Sequence, residues 1–434
     1  MRIKGLRWYI AGLICLTTAL NYMDRQTLAL LAHTLDTELG IKVVQYSKVT
    51  FWFLISYTIM YAVSGRLVDR LGTRRGLALF VGCWSVVDLL HSFARTVGQF
   101  AFCRFLLGAC EPGNFPAGVK AVSEWFPIRE RALAVGIFNC GTAIGAGIAA
   151  PMVAWVTVHW GWRYTFAVGA GLSISWVLLW LGVYRPPQQH PAITTEELKL
   201  IEEDQPAAAA APRRVPALRL LRVREAWGCI LARMLTDPIS YFFAFWMPPF
   251  LMRERGFDLT AMGKYYPICY VGLAIGNLCG GGIPNYLMRR GWSLNRARKA
   301  VMFIASLMIP TCFMLIIGVP SPRLAIAGTT VAMFFHGAWA NMTLPAEAFE
   351  KHVVGSVTGF GGAAGSLVGA VTMLAIGQTV AVKSFTPVFV IYSALPMTAF
   401  LLVCVLIKEL GKPVKVAEAE IAPAPLETTA GVQK

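Results

Sequence analysis

Four ionisable residues stand where apolar residues are the rule. Asp24 and Arg25 lie within the hydrophobic stretch 8–31, and Arg104 and Glu111 within the stretch 97–119. A charge at the centre of a bilayer-spanning helix costs at least about 2.5–3.5 kcal/mol on insertion scales, so a charge that persists needs a partner or a purpose. Successive helical residues point in different directions, so Asp24 and Arg25 face different neighbours. Arg104 and Glu111 are seven residues apart, nearly two helical turns, which places them on one face roughly 10 Å from each other. That is too far for a direct pair and leaves both to meet other groups. The planar fork of Arg104 suits a carboxylate ligand, and a buried carboxyl near a cation, as Glu111 would be, suits a proton carrier. For both sets the competing reading is a structural ion pair.

Weaker candidates surround these four. Arg233 and Asp237, four residues apart, are placed to pair with each other. Asp88 and His91, three apart, read equally as a second titrating pair or as residues reaching the outer interface. Tyr57, Tyr61, Tyr241, Trp246, Trp339 and Asn341 could line a cavity, although aromatic residues in spans more often serve packing or interfacial anchoring. No Gly-x-Ser-x-Gly, His-Glu-x-x-His or phosphate-cradling Gly-Lys motif occurs. The chain is therefore not expected to be an enzyme or to need a metal or other cofactor, and its energy source is expected to be a proton gradient or the solute's own gradient.

Composition sets the class. Of 434 residues, 56% are hydrophobic and 14% charged, against roughly 25% charged in a soluble domain. The expectation is an all-α integral membrane protein whose partner is the lipid bilayer. A net charge of +16 would suit nucleic acid, but its distribution argues against it. With loops assigned alternately to the two sides and the N-terminus inside, Lys and Arg favour the inside by roughly three to one. That bias faces the cytoplasm and anionic lipid, and no nucleic-acid motif is present. The first apolar stretch is too long for a signal-peptide core and lacks a cleavage site, so it reads as the first span. The ten cysteines lie in apolar segments without a Cys-x-x-Cys pair and read as small buried hydrophobes. The six histidines have no metal-ligand spacing.

Twelve spans of bilayer length are expected, near 8–31, 46–67, 77–95, 97–119, 132–156, 163–184, 226–252, 262–288, 299–319, 323–346, 355–381 and 386–408. Backbone groups in lipid must be satisfied internally, and no strand-like alternation occurs, so the spans are helices. They divide into a six-helix bundle over 1–184, a cytoplasmic central loop over 185–225, a second six-helix bundle over 226–408 and a disordered cytoplasmic tail over 409–434. Within the loop, Thr194 or Thr195 would cap a short amphipathic helix, and Pro206 to Pro212 reads as a linker. Glycines four apart (Gly141 and Gly145, Gly355 and Gly359, Gly365 and Gly369) suit close helix packing.

Residues 65–75 read Gly-Arg-Leu-Val-Asp-Arg-Leu-Gly-Thr-Arg-Arg. The pattern resembles the signature loop between helices 2 and 3 of the major facilitator superfamily, where it latches a cytoplasmic gate. The resemblance implies gating roles for Gly65, Asp69, Arg70, Gly72, Arg74 and Arg75. A weak echo follows helix 8, Gly281-Gly282-Ile283-Pro284-Asn285, in which Asn285 replaces the acid and leaves that half of the latch degenerate. The stretches Asn21-Tyr22-Met23-Asp24-Arg25, Arg104-Phe105-Leu106-Leu107-Gly108, Glu111-Pro112-Gly113-Asn114 and Glu124-Trp125-Phe126-Pro127 look like the anion:cation symporter family. Within it, Tyr184-Arg185-Pro186-Pro187 and Leu235-Thr236-Asp237-Pro238 look most like bacterial hexuronate transporters.

That resemblance implies import of a small organic anion, a hexuronate or related sugar acid, with protons, by a monomer in the cell inner membrane with both termini cytoplasmic. It implies Asp24 and Glu111 as proton-coupling carboxyls, and Arg25, Arg104, Tyr22 and Tyr57 as substrate-site residues, with Trp339 and Asn341 as further candidates. Departures from the family pattern fall at Leu54, Ala143, Ser240-Tyr241 and residues 337–342, where relatives carry more polar or bulkier groups. Fewer donors there would weaken recognition of hydroxyls, so a less hydroxylated carboxylate is the alternative cargo. A proton-coupled exporter is a further alternative, disfavoured by the lack of a Gly-Pro pair between Gly141 and Pro151, and a receptor-like relative is a third.

Overall fold

The computed structural model describes residues 3–203, 217–339, 343–412 and 414. Among the described residues each expected span overlaps helix, some of them broken, and residues 340–342 of the span 323–346 lie outside the described residues. The first half comprises α1 (Leu6–Leu39), α2 (Val43–Leu71), α3 (Thr73–His91), α4 (Val97–Cys110), α5 (Asn114–Trp125), α6 (Ile128–Trp160) and α7 (Arg163–Val183). Two short helices follow, α8 (Thr195–Glu203) and α9 (Ala217–Leu220). The second half comprises α10 (Arg224–Phe245), α11 (Met247–Glu254), α12 (Leu259–Tyr265), α13 (Pro267–Arg289), α14 (Leu294–Gly318), α15 (Pro322–Ala338), α16 (Leu344–Ala348), α17 (Lys351–Val382) and α18 (Thr386–Leu406). Seven helical segments are long and apolar enough to cross a membrane by composition alone. The rest include the charge-bearing α1 and the broken pairs α4–α5, α10–α11 and α15–α16. Among the described residues there is no strand, only one isolated bridge between Phe349 and Val414.

Local chemistry sets the boundaries. Gly40 (φ 65°) ends α1 and Gly72 (φ 77°) ends α2, both in backbone conformations that side chains disfavour. Thr96 caps α4 by accepting from the Gln99 amide, and Asp258 and Ser293 cap α12 and α14 in the same way. A single 3₁₀ turn, Glu111–Gly113, separates α4 from α5. Thr194 is the residue that caps α8, its hydroxyl accepting from the Glu197 amide at 3.2 Å. Glu197 then accepts from the backbone amides of Leu6 and Arg7 and pairs with the Arg7 guanidinium at 2.8 Å, docking the central segment onto the start of α1. The expected linker 206–212 and the tail beyond residue 414 lie outside the described residues.

Packing follows the glycines, though not all of those expected. A Cβ at Gly141 or Gly145 would run into the backbone carbonyls of Cys15 and Ala19, so α6 lies directly on α1. Gly108 sets α4 against Phe53 of α2, and Gly276 sets α13 against Phe334 of α15, in the same manner. Gly355 and Gly359 have open space instead, so their spacing serves no helix contact here. Gly65 lies inside α2, where a Cβ would make only an ordinary contact with Pro116, so it neither ends a helix nor permits a close approach. Cys83 and Cys140 are exposed on the apolar surface rather than buried, and all ten cysteines are free thiols.

The halves meet along α2 with α17 and α6 with α12 and α13. They are fastened most tightly at the end that carries Asp36. There the Arg253 guanidinium of α11 meets Asp36 of α1 at 2.6 Å, and the Tyr46 hydroxyl of α2 donates to the Phe245 carbonyl at 2.7 Å. Tyr46 and Trp246 stack edge to face at 5.2 Å, and Gly377 of α17 lets Ser47 approach.

Two predictions follow from this packing. Gly145→Val should lower stability by roughly 1–3 kcal/mol or more by overpacking against Ala19, while Gly136→Ala on the same helix, with open space around it, should not; thermal unfolding in detergent separates them, and equal midpoints would refute the contact. In a cysteine-free background carrying Ser47→Cys, Arg253→Ala should speed thiol labelling roughly twofold to fivefold, the factor that a weak ion pair supports. Unchanged labelling would show that the Asp36 pair does not hold that end shut.

Candidate functional site

Arg25 and Glu111 face each other across 86 residues of sequence. The Arg25 Nε and Nη2 donate to Glu111 Oε2 at 3.0 and 2.5 Å, and Nη2 also reaches Asn21 Oδ1 at 3.4 Å. Both side chains are buried. The guanidinium sits over the rings of Tyr22 (4.7 Å), Tyr57 (4.9 Å) and Phe53 (5.4 Å), a cation–π cage whose strength grows when desolvated. Glu111 can reach it because it opens the 3₁₀ turn after α4, with Pro112 and Gly113 behind it. A 3₁₀ stretch inside a longer helix often marks a functional hinge. Glu111 Oε1 has no partner.

Asp24 points the other way, toward α3 and α7. Its Oδ2 accepts from the Ser173 hydroxyl at 3.5 Å, and its Oδ1 and one oxygen of Asp88 both crowd Gly169 of α7. A Cβ there would lie 2.7 Å from Asp24 and 2.8 Å from Asp88. Arg104 of α4 neighbours Asp88, Glu111 and Asp24, is 1% exposed, and none of its three guanidinium nitrogens has a hydrogen-bond partner. Asp88 and His91 therefore do not reach an interface; they are 1% and 0% exposed. The His91 Nδ1 donates to the Val87 carbonyl at 2.9 Å, and its ring stacks on Phe166 at 5.1 Å. The sequence had marked Asp88 and His91 only as ambiguous, and Gly169 not at all.

A ladder of side chains links this region to the second half. Tyr57 contacts Tyr61 at 5.9 Å, and Gly362 of α17 leaves room for both Tyr61 and Arg233 of α10. Arg233 pairs with Asp237 at 2.9 Å, as their spacing predicts, and Gly365 and Gly369 accommodate Asp237 and Tyr241. The Tyr241 hydroxyl bonds Ser366 at 2.8 Å, and Ser240 bonds His336 at 2.6 Å. Trp339 is not brought to Arg25. It is 1% exposed in an apolar cluster with Met302, Leu344 and Phe349. Asn341 lies outside the described residues.

The signature segment is a helix–turn–helix corner, not a loop: α2 continues to Leu71 and α3 begins at Thr73. Asp69 pairs with Lys120 of α5 at 3.0 Å. Arg74 donates to the Leu181 carbonyl, while Arg70 and Arg75 are exposed. Behind the corner, Thr73 and Tyr184 both donate to Glu124, whose role no spacing in the sequence indicates. The second half has its own brace where the echo predicted a degenerate one. Arg298 of α14 pairs with Glu347 of α16 and donates to the Gly280 carbonyl at 2.6 Å. This charged pair lies on α14 and α16, and Asn285 is exposed.

The arrangement brings together a caged cation, a carboxylate paired with it, and a second buried cation whose guanidinium nitrogens have no hydrogen-bond partner. Comparisons with known proteins agree with a carrier. The chain is 34% identical to the hexuronate transporter of Escherichia coli K12, covering 98% of this chain and 99% of that one. It is 37% identical to the galacturonate transporter of Dickeya chrysanthemi over 71% of this chain and 90% of that one. The crystal structure of a bacterial homologue of the lysosomal transporter Spinster, inward-facing and unoccupied, superposes with a TM-score of 0.69 at 17% identity over 94% of this chain and 96% of that one. The family profile of the Major Facilitator Superfamily matches residues 14–371, and the chain belongs to that superfamily of multi-pass membrane transporters.

Proposed function

We propose that this protein imports a hexuronate or related sugar acid together with protons across the cell inner membrane, acting as a monomer with both termini in the cytoplasm. The 1–184 and 226–408 bundles would rock about the site between them. The observation that carries the reading is the buried Arg25–Glu111 pair inside the Tyr22–Phe53–Tyr57 cage. A carboxylate of the chain fills the place a substrate carboxylate would take. When Glu111 accepts a proton, it releases Arg25, and the cargo carboxylate replaces it with bidentate geometry. Tyr22 and Tyr57 then offer hydroxyls to the polyol. Of the two arginines, Arg25 is the one on the side of the second half; Arg104 lies behind it among the acids and acts as their counter-charge. Asp69, with Arg74 and the turn at Gly72, would brace the opposite end, with Arg70 and Arg75 completing the corner and Gly65 farther back within α2 moving with it.

A second reading, a less hydroxylated carboxylate as cargo, is favoured by Ser240 and Tyr241, whose hydroxyls are already engaged within the second half. Identity to the two uronate transporters supports the sugar acid.

Purified protein in liposomes should accumulate labelled glucuronate against its gradient when an inward proton gradient is imposed. Uptake of a plain monocarboxylate without glucuronate uptake would favour the second reading, and no response to protons would remove the symport. Glu111→Gln should abolish uphill accumulation, and normal accumulation would free Glu111 of its role. Arg25→Lys should raise the half-saturating substrate concentration roughly tenfold to a hundredfold, the loss of about 1.5–3 kcal/mol from a charged hydrogen bond; an unchanged value would place the carboxylate elsewhere.

A further inference from the structure

The buried charges of the first half do not cancel. Arg25 and Glu111 neutralise one another directly. Arg104 remains as the counter-charge to two carboxylates, Asp24 and Asp88. The ionisable groups around Asp24, Asp88 and their counter-charge Arg104 are Tyr46 from α2, His91 from α3, Cys103 from α4 and Glu111 from the 3₁₀ turn, while Arg25 is turned to Glu111 on the far side of α1. The α7 face adds only Ser173 and the bare Gly169. His91 supplies no further positive charge. Its Nδ1 proton is spent on the Val87 carbonyl, and its Nε2 is buried without a partner among Phe100 and Phe166, where an imidazolium N–H would stand unpaired.

An unpaired charge in such a place is strongly destabilising, and two carboxylates that share a site do not both ionise. Both acids pack against the bare backbone of α7: a Cβ at Gly169 would lie 2.7 Å from Asp24 Oδ1 and 2.8 Å from Asp88 Oδ2. Asp24 Oδ1, the oxygen at Gly169, and Asp88 Oδ1, the oxygen turned away from it, are both buried with no hydrogen-bond partner.

We propose that Asp88 is a second proton-binding residue of the carrier, sharing one proton with Asp24 over Gly169 beside Arg104. The proton forms an O–H bond on one of the two carboxyls and leaves the other ionised, so the pair carries a single negative charge that Arg104 balances. Losing this proton leaves two carboxylates and one guanidinium, and Arg104 is then pulled toward α3. Gaining it frees Arg104 toward Glu111. Asp88 is thereby part of the coupling machinery and not a structural acid. The proposal rests on the proton symport reading above, and its test separates the two.

Wild type, Asp88→Asn, Asp24→Asn and the double variant are reconstituted in liposomes. Glucuronate exchange without gradients is compared with accumulation driven by a proton gradient. Asp88→Asn is expected to lower the ratio of accumulation to exchange by about tenfold, the factor one unit of lost proton affinity represents. The double variant should be no worse than either single one, because the two residues act as one unit. If wild type responds to the gradient and Asp88→Asn keeps its ratio, Asp88 is excluded while symport stands. If wild type answers to a sodium gradient at fixed pH instead, both fall. If a variant does not exchange at all, infrared spectra decide. A deuterium-sensitive carboxylic acid band should be present at neutral pH in wild type and in Glu111→Gln, and absent from Asp88→Asn that elutes as a single folded species. A band retained in Asp88→Asn, or missing from wild type, overturns the shared proton.

Discussion

Three acids and two arginines buried in one half-bundle impose the requirement that the rest of the structure meets: charge neutrality away from water. A guanidinium in a low-dielectric interior is tolerable only with a partner of good geometry, and a partner removed leaves a penalty of several kcal/mol. Arg25 meets this through Glu111 and three aromatic rings. To deliver Glu111, the fourth span cannot be a uniform α-helix. It breaks into a 3₁₀ turn at Glu111–Gly113 and resumes as α5, while Phe80 of α3 fills the space that Gly113 leaves open. The charge pair and the irregular backbone are one feature, since neither has a reason to exist without the other.

Glycines supply the second condition, which is proximity. Charges on different helices interact strongly only when the helix axes come close, and here small residues line the approaches. Gly169 admits the two aspartates; Gly361 and Gly362 admit Arg233, and Gly365 admits Asp237. The lane on α17 therefore does more than pack. It brings Tyr61, which packs at a tilt on Tyr57 of the Arg25 cage, against Arg233 of the other half, so the two charged sites are joined by a continuous run of side chains.

Much of this was legible in the sequence, for a physical reason: the bilayer makes each intramembrane charge expensive, so Asp24, Arg25, Arg104, Glu111, Arg233 and Asp237 stand out against apolar surroundings. Pairings within one helix were legible too, as with Arg233 and Asp237. Pairings between helices were not, because Arg25 and Glu111, or Asp24 and Asp88, are joined by topology and not by spacing. Gly169 was invisible because a glycine in an apolar helix carries no mark of what it faces. The same holds in reverse for Gly355 and Gly359, whose spacing matched a packing motif that no helix uses. The second-half brace was sought at Asn285, by position, whereas the chain realises it as Arg298 and Glu347 on different helices.

The fastening at the Asp36 end and the charge cluster constrain each other. Tyr46 belongs to both: its hydroxyl holds the Phe245 carbonyl of the second half, and it neighbours Arg104. Phe53 does the same, lying under Arg25 and against Phe245 at 5.8 Å. A movement that parts the halves at this end drags Tyr46 and Phe53 away from α10, and with them the walls around both arginines. A bare, unneutralised cluster would then face a widening, wetter gap, where water screens charge and the ion pair loses its advantage. The closed end is thus compatible with a dry, balanced cluster and the open end with a hydrated, ionised one. In the carrier proposed above, protonation and cargo binding would select between the two because they alter the same balance of charge, which is the differential free energy that any gating ligand must supply.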